Sequence, residues 1–432
     1  MTSRFALLYS FLLASVSMFA DDPTYSKDIS RIYRAKCEMC HREGDIAPFA
    51  LNNFDAATTW SSDIRRVLTR GEMPPWKPRP GLQHYKNDYS LTAGEKQMIF
   101  DWMEAGSPEG DPADLPDPVD NKSPWGLGQP DQVLTMAQPY TPPMGTDVYR
   151  CFVLDPGNTQ KMYLNAIDFL PGDRTIVHHS LLYAEVPDKN GVYPSDKWDG
   201  VDGQPGYDCF GGPGFNIDLS NLKSLLGGWA PGTRPYHLPE QYGMEIPARA
   251  KLVMQLHYFP VGHTGTDITS IGLYKSPRVP DATLLDVPLI QDKFKIPADS
   301  SSYDVNYSIT LPANVGIGDT TVVWAYPHMH LLGQNISVSV VNPDKTENTL
   351  IAIDAWDFNW QGAYSFETPL VVKEGSTIKL HCNFDNSANN PKNPNNPIVP
   401  VGWGERTTDE MCVGFIGLVN PRLEALLALL YK

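Results

Sequence analysis

Residues 325–333 read AYPHMHLLG, with His328 and His330 two apart in an apolar run. The chain has only 10 histidines in 432 residues, so two of them in one such stretch need a reason. On a β-strand, residues i and i+2 point to the same face. If VVWAYPHMHLL is a strand, both imidazoles face one point and can hold one metal ion. A pair of core histidines is the alternative.

Strand-like runs recur around this stretch. They include KMYLNAIDFL, TIVHHSLLYAEV, AKLVMQLHYFPV, QNISVSVV, STIKLHCNF and MCVGFIGLV, separated by Pro, Gly, Asn and Asp. No long amphipathic helix appears until PRLEALLALLYK at the end. That pattern predicts antiparallel β-sandwiches, and the roughly 300 residues after Trp125 suit two of them side by side. A break in YKSPRVPDATLLDV separates 125–278 from 279–425.

The other histidines of this half also gather. His178 and His179 are adjacent in IVHHSLL, and His257 lies in QLHYFP. Neighbours on a strand face opposite sides, so one metal taking both His178 and His179 needs a twisted strand or different ring nitrogens. Imidazole suits copper, zinc, iron and nickel alike. Met411 in TTDEMCVGF bears on the choice, because a thioether favours Cu(I); its alternative is ordinary core packing.

The first hundred residues differ. RAKCEMCHREG contains Cys37, Cys40 and His41 as C-x-x-C-H, the spacing for two thioethers to haem with the next residue on iron. The second axial ligand is expected to be Met73 in the Pro-flanked loop RGEMPPWKPRP, with His84 as competitor. A helix follows in SLTAGEKQMIFDWMEAGSP. Ser90 or Thr92 is its cap, Met98, Ile99, Trp102 and Met103 have helical spacing, and Gly106 is its stop. The stretch 24–108 therefore reads as a small all-α cytochrome c domain. The Pro- and Asp-rich segment 109–124 reads as a linker with no apolar anchor, long enough to let that domain dock on either sandwich.

MTSRFALLYSFLLASVSMFADDP reads as a signal peptide over 1–20, cleaved after Ala20, with a retained anchor as the alternative. The expected place is periplasmic or secreted, where disulfides persist. The formal charge of -16 and the lack of Lys/Arg clusters argue against nucleic acid and against an anionic membrane surface. After the haem pair four cysteines remain, which allows three connectivities.

VYRC, IVHHSLL, LVMQLHYFP, HMHLLG and DEMCVGF occur in the order and near the spacing of the copper type II, ascorbate-dependent monooxygenases. These are the peptidylglycine alpha-hydroxylating monooxygenase and dopamine beta-hydroxylase family, and 125–425 resembles them. The resemblance implies two packed all-β, jelly-roll-like sandwiches carrying two copper ions. His178, His179 and His257 would hold the electron-storing copper. His328, His330 and Met411 would hold the copper that meets O2 and substrate. It also implies disulfides Cys151–Cys209 and Cys382–Cys412. Two departures stand out. The peptide-amidating relatives have Arg where this chain has Tyr326, and Asn and Tyr where it has Val413 and Phe415. Those groups grip a peptide carboxylate, so a less polar pocket is expected here.

The function implied is hydroxylation of a C–H bond in a small organic substrate with O2. Electrons would come through the haem from an external donor, an ascorbate-like reductant or a periplasmic carrier. The rivals are a copper and haem electron carrier or copper-handling protein that makes no product, and a haem peroxidase or dehydrogenase with an open iron position.

Overall fold

Four short helices build the N-terminal unit: α1 (Ser30–Lys36), α2 (Phe54–Thr59), α3 (Ser61–Arg70) and α4 (Ala93–Glu104). The computed structural model describes residues 22–43, 45–117, 123–215, 224–259 and 262–430. The expected leader at 1–20 lies outside them, as do linker residues 118–122. In α3, Ile64 and Leu68 stand four apart and both turn inward. Gly71, with φ 67°, closes that helix in a left-handed conformation that a side chain resists. α4 starts from a capping box in which Thr92 and Glu95 satisfy each other's backbone N–H. Its Ile99 and Trp102 are buried with Tyr25, Ile29, Ile64 and Leu68. Met98, a quarter-turn from Ile99, is 39% exposed and does not join that core.

The N-terminal sandwich contains β1 (Gln132–Thr135), β2 (Val148–Leu154), β3 (Met162–Leu170), β4 (Val177–Glu185), β5 (Tyr207–Asp208), β6 (Leu225–Trp229), β7 (Tyr242–Ile246), β8 (Lys251–Tyr258) and β9 (Ser270–Lys275). The C-terminal one contains β10 (Ala282–Gln291), β11 (Lys295–Ile296), β12 (Tyr303–Thr310), β13 (Thr320–His328), β14 (Gly333–Val341), β15 (Glu347–Ile353), β16 (Tyr364–Val372), β17 (Thr377–Phe384), β18 (Val401–Gly402) and β19 (Cys412–Val419), before helix α5 (Pro421–Leu430). One outer sheet runs β5-β2-β8-β4-β6 and the other β12-β17-β14-β15. Between them the inner sheets are joined into a single eight-stranded sheet, β1-β9-β3-β7-β10-β19-β13-β16. The join is a short parallel contact, Tyr242 beside Ala282 and Gly243 beside Thr283. The two sandwiches are thus fused through a sheet, a closer relation than two units packed face to face.

Cys382 of β17 is bonded to Cys412 of β19, which ties the two sheets of the C-terminal sandwich together across its core. Cys151 of β2 is bonded to Cys209, just past β5. Both pairings are those the resemblance implies.

The N-terminal unit is seated on the rest of the chain. Tyr85 is 3% exposed within the C-terminal core and donates to Leu350 O at 2.9 Å. Burying a ring of that size contributes on the order of 2 kcal/mol. The Arg79 N–H donates to Ala352 O, the Lys86 N–H donates to Ser365 O, and Arg79 pairs with Asp354. The first part of the expected linker is also held. Glu109 O accepts from Ser26 N, and Arg34 donates to the carbonyls of Pro116 and Asp117. The apolar anchor that 109–124 lacks is supplied by the loop 73–91 that precedes α4.

Candidate metal centre

His178 and His179 lie on β4 and His257 on β8. The pairing runs Val177 with Tyr258, then His179 with His257, so His178 is an extra residue in its strand. Such a bulge breaks the alternation of faces. It is the local device that lets two adjacent histidines turn to one point. The ligand atoms of His178, His179 and His257 all lie within 4.8 Å of one another. Nδ1 of His179 is 3.2 Å from Nδ1 of His178 and 3.4 Å from Nδ1 of His257. The far nitrogen of His257 is engaged elsewhere: His257 Nε2 donates to Asp147 Oδ1 at 3.1 Å. The His178 ring also donates to the backbone carbonyl of Phe358. Tyr149 stacks flat on His257, centroids 4.2 Å apart. Burial lowers the pKa of all three, with neighbouring imidazoles adding to it: His178 to about 4, His179 and His257 well below their usual range. They are therefore neutral at physiological pH, the form that binds metal.

The opening pair departs from a simple strand reading. β13 stops at His328, and His330 lies beyond it. The backbone N–H groups of His330 and Leu332 leave the ladder to donate to the buried Glu410 carboxylate. Met411 N–H donates to the same group, whose pKa burial nonetheless pushes up to about 8. The two imidazoles still converge, with centroids 5.1 Å apart. His328 Nδ1 donates to Gln361 Oε1 and His330 Nδ1 donates to Asp409 O. Both Nε2 atoms are left for a ligand. Burial lowers His328 to about 3 and His330 to about 4. Met411 is 8% exposed and directly precedes the disulfide-bonded Cys412. His328 pairs with Val413, two residues past Met411, and the His330 and Met411 N–H groups both donate to Glu410.

The two groups adjoin. His179 and His328 have ring centroids 6.3 Å apart. Asp147, which holds His257, also accepts from Thr407 N, in the loop whose Asp409 holds His330. Phe358 stacks on His178 at 4.8 Å and stands edge-on to His330 at 5.9 Å. Nothing in sequence spacing marks Asp147, Phe358 or Gln361, since each is brought to its histidine by a loop distant along the chain.

A cavity of about 670 Å³ lies beside this centre. Cys37, Cys40, His41 and Met73 line it from the N-terminal unit. Arg174 to His178 and Phe259 line it from the N-terminal sandwich, and Asn359 and Trp360 from the C-terminal one. Cys37 and Cys40 are free thiols, although the other four cysteines are paired. Removal from water raises their pKa values, to about 12 and about 11, so neither is a ready thiolate. His41 Nδ1 donates to Phe49 O at 3.0 Å, leaving Nε2 free.

The remaining histidines stand apart. His84 is exposed, and its carbonyl accepts from Glu367 N. His237 bonds Asn165, and His263 bonds Thr175. His381 faces Asp304 on the outer sheet, away from both groups. Successive residues of a strand face opposite ways, so the inward Cys382 turns His381 outward.

No curated protein matches the chain. Among solved structures it is similar to the major capsid protein P2 of bacteriophage PM2, with 9% identity over 67% of this chain and 97% of that one, TM-score 0.25. The infectious bursal disease virus VP2 subviral particle gives 12% identity over 67% and 79%, TM-score 0.18. Neither likeness bears on function at those scores. Residues 281–424, about a third of the chain and the part holding His328, His330 and Met411, match the family model of the copper type II ascorbate-dependent monooxygenase C-terminal domain.

Proposed function

We propose that the chain is an exported copper-dependent monooxygenase that hydroxylates a small organic substrate and receives electrons through an attached haem. The observation that carries it is the meeting of two buried, neutral histidine groups at the seam of the sandwiches, one of them inside the matched segment. Copper supplies the one-electron couple and the place for O2. The chain supplies the rest. Asp147, Gln361 and Asp409 fix which ring nitrogen each of their histidines presents. Met411 adds a soft donor to one group only, which suits division into an O2-meeting site and an electron-storing site.

Tyr326 and Phe415 support the expected substrate class. Their rings stack at 6.1 Å, and Tyr326 lies 6.3 Å from His328. Both border a mostly apolar space of about 110 Å³ with Leu226, Trp229 and Trp324, whose lining also includes Asp168 and Arg234. No cation stands at position 326 to grip a carboxylate. This favours an unactivated or benzylic C–H over a peptide terminus.

The residues of the large cavity fit a haem c. Two unpaired thiols in C-x-x-C-H, a histidine with Nε2 free and a methionine all border one space of suitable size. The haem would pass electrons from an external donor, ascorbate-like or a periplasmic carrier. Two disulfides suit export, and among the described residues no helix is long and apolar enough to cross a membrane. Elemental analysis of the exported protein tests the reading. Two coppers and one iron are expected per chain; zinc in both histidine groups would overturn it.

A further inference from the structure

The large cavity touches the metal centre on two sides. On one side its wall is His178 itself. On the other, Phe259 and Trp360 line the cavity, and Phe358 lies directly behind them. Phe259 is 6.0 Å from Phe358, and Phe358 is 5.9 Å from His330. Phe358 is 3% exposed, so no solvent layer separates these rings. The loop between β15 and β16 serves the N-terminal unit and the pair together. Asp354 pairs with Arg79, Lys77 with Asp357, Trp356 Nε1 donates to His330 O, and Gln361 holds His328.

We infer that Phe259 and Phe358 form an electron path from the large cavity to the His328/His330 pair, so that a haem held there would reduce a metal at the pair directly and not solely by way of the His178/His179/His257 group. The inference rests on the haem and copper reading above. Transfer from a bound haem to a bound copper would move one electron, from ferrous iron to Cu(II), with no proton or bond change. Phe259 and Phe358 link the cavity wall to His330, and His178, which borders the cavity, stacks on Phe358 as well. The O2-meeting site can then be recharged without waiting for the other group.

The test uses full-length, haem-loaded protein with His179→Ala and His257→Ala, so that copper occupies only the pair. The haem is reduced photochemically without O2. Haem oxidation is followed by absorbance and Cu(II) loss by freeze-quench EPR. The expected result is that haem oxidation and Cu(II) loss run together, one for one. Phe358→Leu in this background should slow both severalfold, and Phe358→Trp should restore them. If the double variant does not fold, Asp147→Ala at limiting copper gives the same measurement. A haem that stays reduced beside persistent Cu(II) in the variant, while the wild type transfers normally, overturns the direct route. If the wild-type haem reduces neither copper, the underlying donor reading falls with it.

Discussion

Three residues bear most directly on the proposed function. Met411 is the only sulfur donor proposed for copper. Met411→Ile should leave the three-histidine copper EPR signal intact and abolish O2 uptake; retained uptake would make Met411 mere packing. Asp147 is the carboxylate behind His257. Asp147→Ala should weaken copper at that group by about 10–100-fold, the usual effect of removing such a partner, as read by competition with a chelator. Met73 is the expected iron ligand. The oxidised haem should show a near-infrared sulfur-to-iron band that disappears in Met73→Ala, and a band that survives would assign the ligand elsewhere. The histidine motifs stand out in the sequence, whereas Met411 joins them only through the resemblance. Asp147, Gln361 and Phe358 do not stand out, because a hydrogen-bond partner or a packed ring leaves no spacing in the chain.

The strands bring their own physical consequences. Five neutral histidines converge at the ends of β4, β8 and β13, each depressed below the ordinary value of 6.5. In the metal-free fold they resist protonation, whereas the unfolded chain accepts protons below about pH 6.5. Stability is therefore present above that pH and is lost on acidification toward about pH 4. Thermal melting of apoprotein across pH 7 to 4 should show Tm falling through this window, and copper should shift the fall to lower pH. A flat profile would mean the histidines are solvated. The Cys382–Cys412 bond closes a loop of 30 residues, worth about 3–4 kcal/mol on a chain-entropy account. Cys382→Ala/Cys412→Ala should lose that much in denaturant unfolding and loosen copper at the Met411 side first. Strand periodicity exposed the two sandwiches but hid two features. The bulge at His178 is one extra residue with no signature of its own, and the early end of β13 depends on Glu410 drawing away two backbone N–H groups.

At the scale of the molecule, the N-terminal unit and the two sandwiches form one arrangement with the large cavity at their junction. The sequence pattern divides the chain into these three units, yet the composition of 109–124 suggests a loose tether. What seats the unit is Tyr85 and its neighbours, apolar and backbone contacts that a linker's composition cannot reveal. The fusion of the inner sheets through β7 and β10 rests on two residue pairs and is equally silent in the pattern. On the proposed function, a seated unit would make electron transfer a property of the single chain, independent of encounter. The decisive measurement is anaerobic stopped-flow mixing of haem-reduced, copper-oxidised protein across a tenfold dilution. A first-order haem oxidation rate unchanged by dilution is predicted; a rate that falls in proportion to concentration would show that the haem serves another partner.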